Sequence, residues 1–370
     1  MSDTHFHKLR VAKVTPETPD TVSITFEVPS ELKEIFTYEA GQYLTLRFLL
    51  GGKDVRRAYS MSSSPLEPSL TVTVKRVKKG LVSNYVFDQL RVGTEVDIMP
   101  PQGRFFPTLD VAQRKTYYLF GAGSGITPLM SIAKTVLEQE PQSSVHLLYG
   151  NRNAEGIIFK TQLDELQTRY AEQLFVEHVL SQPIQSGGGL LKSWFKKNDL
   201  STWEGKTGRI TAQMVSDFLN DHPSRTKNAE YFICGPGELT EMIEATLQKE
   251  GINGKNIHKE LFSIPVGGDV APVGGDAIVK NARLIAHLNG ETIELVVPPK
   301  TNLLRALVDI KKDPPYSCTS GACSTCMAKV IRGSVKMESC YALDEDEIAS
   351  GYILTCQSFP TSAEIEIVYE

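Results

Sequence analysis

Four cysteines near the C-terminus, Cys318, Cys323, Cys326 and Cys356, stand in the spacing C-x4-C-x2-C followed by a distant fourth. That spacing suits a [2Fe-2S] cluster held by four thiolates, and it dictates a loop that must wrap the cluster. The first three lie in Tyr316-Ser317-Cys318-Thr319-Ser320-Gly321-Ala322-Cys323-Ser324-Thr325-Cys326, where small residues let backbone N–H groups approach the sulfurs. The fourth closes the strand-like run Gly351-Tyr352-Ile353-Leu354-Thr355-Cys356. A zinc site or a disulfide pair is the competing reading. Zinc usually takes two short C-x2-C hooks, and the second hook is missing here, so the spacing favours the cluster and single-electron chemistry. Cys340, between the third and fourth ligands, fills no gap in the set and reads as a spare thiol.

A chain of 370 residues is long enough for two or three domains. Residues 1–110 are β-rich: Thr21 to Phe26, Tyr43 to Phe48 and Leu70 to Lys75 alternate, Gly51-Gly52 marks a hairpin, and the short strands suggest a small antiparallel barrel. Residues 111–262 alternate strand and helix: Thr116 to Phe120, Leu129 to Gln139, Val145 to Tyr149, Tyr231 to Cys234 and Leu239 to Glu250. This is the pattern of a doubly wound α/β domain. Within it, Ser181 to Lys206 reads as a surface loop or short helix. Residues 263–280 hold Pro-Val-Gly-Gly-Asp twice, have no period, and read as a linker. Residues 281–370 begin with the hairpin Ala282 to Val297 around Asn289-Gly290, then a helix near Asn302 to Ile310, then the cysteine loop, an α+β, β-grasp layout.

A net charge of -5 argues against nucleic acid as a partner. From Arg283 to Glu370 twelve acidic residues stand against eight basic ones, an excess that is either a solvated surface or a steering field for a basic partner. The chain shows no signal-peptide h-region and no run of ~20 apolar residues, so no membrane insertion is expected. Thiolate ligands imply a reducing, cytoplasmic location.

Gly121-Ala122-Gly123-Ser124-Gly125-Ile126-Thr127-Pro128 links a strand to a helix, so its amides could cradle a pyrophosphate, or it could simply be a tight turn. Cys234-Gly235-Pro236-Gly237 ends another strand, where open α/β sheets bind ligands; the cysteine could lie against a nicotinamide ring or be a packing residue. Arg152 follows the strand ending at Tyr149 where an acidic ribose partner would stand for NAD, which tilts the choice to NADPH unless the arginine is merely solvated. Arg56-Arg57-Ala58-Tyr59-Ser60 combines charge, an aromatic face and a hydroxyl in a way that suits a flavin, although an Arg-Arg pair on an edge strand is often only solvated. Gly80-Leu81-Val82-Ser83 opens a helix and offers a second phosphate site.

Arg57-x-Tyr59-Ser60, Gly80-x-x-Ser83, Gly121-x-Gly123-x-Gly125-x-x-Pro128 and Cys234-Gly235-Pro236, in this order, resemble the ferredoxin-NADP+ reductase superfamily. The tail from Tyr316 to Glu370 resembles plant-type ferredoxin, and the domain order is similar to that of phenylacetyl-CoA epoxygenase reductases. The resemblance implies FAD, with Arg57 on its pyrophosphate, Tyr59 against the isoalloxazine, Ser60 near the N5 edge and Ser83 on phosphate. It further implies NAD(P)H at Gly121, Gly123, Gly125, Thr127, Pro128, Gly235 and Pro236, and a segment Glu260-Leu261-Phe262 that returns to the flavin; its competing reading is a plain connector. Ser60, Cys234 and Glu260 are then the candidates nearest the chemistry. The expected activity is electron transfer from NAD(P)H through FAD to the cluster and on to an oxygenase component. A reductase for a fatty-acid desaturase or another di-iron oxygenase is the alternative, and a non-enzymatic zinc and nucleotide-binding module is the alternative of a different class.

Overall fold

The computed structural model describes residues 5–183, 203–263, 279 and 281–369. Most of the Ser181 to Lys206 stretch, and all of the expected linker but Ser263 and Val279, lie outside these residues. Three main sheets organise the chain.

The first is six-stranded and antiparallel: β1 (His7–Thr18), β2 (Thr21–Glu27), β3 (Tyr43–Leu50), β4 (Lys53–Ser60), β5 (Leu70–Lys75) and β6 (Glu95–Gln102), in the order β4-β3-β6-β1-β2-β5, with helix α1 (Leu81–Gln89) between β5 and β6. Gly51 and Gly52 both take positive φ, 58° and 76°, which a two-residue hairpin with Leu50 opposite Lys53 requires. The sheet curls until its edge strands touch at one bridge, Met61 to Val72, so the expected barrel is an antiparallel sheet joined at a single point. Alternation along β4 sends Arg56 to one face and Arg57 to the other.

The second sheet is parallel: β7 (Thr116–Ala122), β8 (Ser144–Asn151), β9 (Leu174–Leu180), β10 (Lys206–Thr207), β11 (Ala229–Pro236) and β12 (Ile257–Ser263), in the order β10-β9-β8-β7-β11-β12. Helices α2 (Ile126–Gln139), α3 (Lys160–Arg169), α4 (Ala212–Asp221) and α5 (Gly237–Lys249) connect them. The strand order reverses between β7 and β11, so the loops leaving these strands form the crevice where such sheets bind ligands. Most of α2 is buried, because it packs on its own sheet and also against the first domain. Ser131 Oγ donates to the Ser63 carbonyl at 2.6 Å, Lys134 Nζ to that of Ser62 at 3.2 Å, and Thr135 Oγ1 meets Ser64 Oγ at 2.9 Å. These buried contacts, with Phe105 edge-on to Phe232, hold the two domains in one orientation.

The third sheet contains β13 (Ala282–Leu288), β14 (Glu291–Val297), β15 (Met327–Arg332), β17 (Tyr352–Leu354) and β19 (Glu364–Val368), ordered β14-β13-β19-β15-β17; β16 (Val335–Met337) pairs with β18 (Ser358–Pro360). Asn289 and Gly290, at φ 51° and 79°, make the β13–β14 turn. Helix α6 (Leu303–Asp309) starts at Asn302, whose side chain accepts from Arg305 N–H at 2.8 Å, and Leu303, Leu304, Ala306 and Leu307 face the core. Helix α7 (Glu345–Ala349) begins with a capping box between Asp344 and Glu347. Among the described residues no helix is long and apolar enough to cross a membrane.

Candidate functional site

All three domains wall one cavity of about 370 Å³. From the first come Tyr43, Arg57, Tyr59, Ser60, Lys75, Gly80 and Ser83; from the second Ser124, Thr127, Glu260, Leu261 and Phe262; from the third Cys318, Ser320, Ala322 and Cys323. Residues separated by most of the chain length therefore share one chamber of the size usual for a cofactor site.

The walls fit FAD. Arg57 is exposed toward the cavity, and its guanidinium also donates to the Arg56 carbonyl at 2.7 Å, which fixes its direction. Lys75 adds a second cation; the sequence reading missed it because a lysine ending a strand looks like any solvated charge. Helix α1 starts at Gly80 with no side-chain cap, so its first N–H groups are free of a capping side chain and available to a phosphate. Ser83 Oγ accepts from Val77 N–H at 3.1 Å and keeps its own proton to donate. Tyr59 offers its ring, and burial raises its phenol well above the usual range, so it stays neutral.

Ser60 and Glu260 meet across the domain boundary. Ser60 Oγ donates to Glu260 Oε2 at 3.1 Å. Glu260 lies on β12, paired with Cys234 of β11, rather than on a connector. Burial pushes its carboxyl up to about 8, against which the Ser60 hydrogen bond acts only in part, so near neutral pH it carries a proton. Phe262, 40% exposed, stands at the cavity wall.

At the sheet crevice the structure separates two roles that the sequence had merged. Gly123 has φ 55°, and a Cβ on Gly125 would lie 2.1 Å from the Cys234 carbonyl oxygen, so both glycines are needed for the turn to pass over β11. Thr127 Oγ1 donates to the Ser124 carbonyl at 3.1 Å, and α2 also begins without a side-chain cap. Gly121, Gly123, Gly125, Pro128, Gly235 and Pro236 border the crevice but do not line the cavity, whereas Ser124, which the sequence reading passed over, does. Cys234, expected beside a nicotinamide, is fully buried in the α/β core with its thiol pushed up by burial; it does not face the cavity. Arg152 is exposed one residue beyond β8, which runs two residues past the expected Tyr149. Beside it the Asn151 side chain is buried.

The four cysteines fall into two pairs. Cys318 is held low by the hydrogen bond from Cys323, with Ser320 helping, and Cys356 is held low by Cys326. Among the described residues no group of three His, Cys, Asp or Glu side chains converges on one point. A two-plus-two thiol set suits two irons better than one tetrahedral zinc. Two donors reach the sulfurs, Ser320 N–H at 3.4 Å from Cys318 Sγ and Gln357 Nε2 at 3.8 Å from Cys356 Sγ, while the free Cys323 thiol donates to Thr325 Oγ1 at 3.4 Å. Thr319 at φ 55° and Gly321 at φ 76° curl the loop, and a Cβ on Gly321 would meet the Ser339 carbonyl at 2.7 Å. Cys340 is half-buried on the core of this domain.

The third domain is held against the first by its acidic side chains. The Arg56 guanidinium, only 4% exposed, pairs with Asp313 and with Asp54 and lies 4.0 Å from the Tyr316 ring. Arg104 pairs with Glu347, and Tyr43 Oη is 2.9 Å from Thr325 Oγ1. Part of the acidic excess thus has an intramolecular target. The sequence contained its signal, an arginine on the face of β4 opposite Arg57.

Comparison with known proteins agrees with this division. An oxidoreductase FAD-binding domain matches residues 8–106, an oxidoreductase NAD-binding domain residues 119–246, and a 2Fe-2S iron-sulfur cluster binding domain residues 286–361. The chain is 33% identical over 368 residues to one of the subunits of 1,2-phenylacetyl-CoA epoxidase from Escherichia coli (strain K12), covering 99% of this chain and 98% of that protein. It is 35% identical over 369 residues to the ferredoxin reductase component of 3-ketosteroid-9-alpha-monooxygenase from Rhodococcus rhodochrous, covering 98% and 96%. The solved structure of phthalate dioxygenase reductase shares the fold, with a TM-score of 0.57 at 22% identity over 98% of both chains.

Proposed function

Since the chain belongs to the family of flavin and iron-sulfur oxidoreductases that join FAD-binding, NAD-binding and C-terminal [2Fe-2S] domains, we propose that it passes electrons from NAD(P)H to the oxygenase component of a phenylacetyl-CoA epoxidase-like system. The observation that carries this reading is the shared cavity, which Cys318 and Cys323 line together with Tyr59 and Ser60. A nicotinamide gives two electrons as hydride and a [2Fe-2S] centre takes one, so bound FAD supplies the conversion between them.

The chain's own residues bind, orient and shield. Arg57, Lys75, Ser83 and the α1 N-terminus hold the FAD phosphates, and Tyr59 stacks on its ring. Burial keeps a proton on the Glu260 carboxyl against the opposing pull of the Ser60 hydrogen bond, so no buried negative charge stands at this wall of the cavity near neutral pH. Phe262 covers the ring and excludes water. The Gly121 to Pro128 turn and the α2 N-terminus hold the nucleotide pyrophosphate, and Arg152 receives a 2′-phosphate, giving a preference for NADPH. Cys318, Cys323, Cys326 and Cys356 ligate the cluster. The domain limits are 1–110, 111–262 and 281–370, and the protein works in the cytoplasm, where unpaired cysteines such as its own stay reduced.

The purified protein should show both flavin and cluster absorption and should support NAD(P)H-driven turnover of its oxygenase. Arg152→Ala should raise KM for NADPH far more than for NADH, as loss of a charge-assisted contact worth about 1.5–3 kcal/mol requires. A colourless zinc protein refutes the assignment, and a wild-type preference for NADH refutes the role of Arg152.

A further inference from the structure

Two hydroxyls join the flavin-binding domain to a cluster ligand. Tyr43 Oη, from β3, lies 2.9 Å from Thr325 Oγ1 on the cysteine loop, and Thr325 Oγ1 lies 3.4 Å from Cys323 Sγ. Tyr43 is 4% exposed, Thr325 6% and Cys323 7%, so water has little access to the chain. Tyr43 and Cys323 both line the cavity.

We propose that Tyr43 is a positioning residue that, acting through Thr325, hydrogen-bonds the Cys323 sulfur only while the two domains are docked, and thereby raises the reduction potential of the docked cluster. The inference rests on the reading of the four cysteines as cluster ligands. The direction of the chain follows from counting protons. A thiolate bound to iron has no proton and can only accept, so the Thr325 hydroxyl must donate to Cys323. That hydroxyl has a single proton, so toward Tyr43 it accepts, and the phenol is the donor.

A donor to a ligand sulfur favours the more negative, reduced state and so raises the potential. Donation from Tyr43 polarises the Thr325 O–H and strengthens the link to sulfur. Because the phenol belongs to the first domain and the threonine to the third, separation by an ångström or two breaks the bond. Docked, the cysteine loop holds a better electron acceptor beside the cavity. Undocked, it holds a better donor for a partner protein.

The test is a redox titration of the full-length, fully loaded protein, following the cluster by electron paramagnetic resonance. Tyr43→Phe should lower its midpoint potential, and Thr325→Val should lower it further, by about three- to tenfold in the one-electron equilibrium, where tenfold corresponds to 59 mV. Thr325→Ser keeps the hydroxyl and should stay at the wild-type value. The Tyr43→Phe change should vanish on a Thr325→Val background, since it acts through that hydroxyl. Arg56→Met, which weakens docking without touching the chain, should move the potential in the same direction as Tyr43→Phe. An unmoved potential in Tyr43→Phe or Arg56→Met, or full additivity with Thr325→Val, overturns the proposal. Wild-type protein without iron and sulfide would overturn the ligand reading, and this inference with it.

Discussion

Replacing Arg56 by methionine preserves most of the side-chain volume and removes one of the charges that join the first and third domains. Only part of its surroundings contributes to docking. Asp54 and Phe6 belong to its own domain, whereas Asp313 and the Tyr316 ring belong to the other. The Asp313 carboxylate is 63% exposed, so a charge-assisted bond that would be strong when buried is discounted to about 1 kcal/mol. The Tyr316 ring, 4.0 Å from a guanidinium that is almost wholly out of water, adds about 1 kcal/mol. Together they favour the docked arrangement by about 2 kcal/mol, roughly a thirty-fold shift. In stopped flow at low ionic strength, flavin reduction by NAD(P)H should be unchanged in Arg56→Met, while subsequent cluster reduction slows by up to about thirty-fold. Salt should slow the wild type toward the variant, because the Asp313 end of the pair is open to screening. In a double-mutant cycle, Asp313→Asn should lose its effect once Arg56 is gone. Wild-type cluster reduction in Arg56→Met at low salt, or additivity of the two substitutions, would refute the reasoning.

Further outcomes follow from individual side chains. Glu260 has a folded-state value of about 8 against an ordinary 4.5, so the stability tied to its bound proton is fully present below about pH 4.5 and is lost as pH rises through 8. FAD-free Glu260→Gln should therefore gain on FAD-free wild type across that window, by up to about 4 kcal/mol, and parallel melting curves from pH 5 to 9 would contradict it. Cys340→Ser should retain iron, sulfide and the cluster spectrum, whereas Cys326→Ser should lose them with flavin still bound; iron loss in the Cys340 variant would show a misassigned ligand.

Much of the fold was legible because its signals are local. Gly51-Gly52 and Asn289-Gly290 announce hairpins through the positive φ that both positions need, and each turn sits where expected. Alternation marked Leu70 to Lys75 as a strand to the residue. The cysteine spacing pointed to a candidate ligand set, since a loop wrapping a cluster constrains neighbours along the chain. Where local pattern and packing competed, packing prevailed. Cys234 sits two residues before the end of β11, and alternation along the strand packs its side chain in the α/β core.

Turn residues, periodicity and ligand spacing act over a few residues, so the three domains, their order and the kind of chemistry each carries could be read from the chain alone. Which groups meet was settled by the folded arrangement: Ser60 with Glu260, Arg56 with Asp313, and Tyr43 with Thr325. Each of these pairs joins residues from different domains, and their contact follows from the way whole sheets pack, which no spacing along the chain encodes.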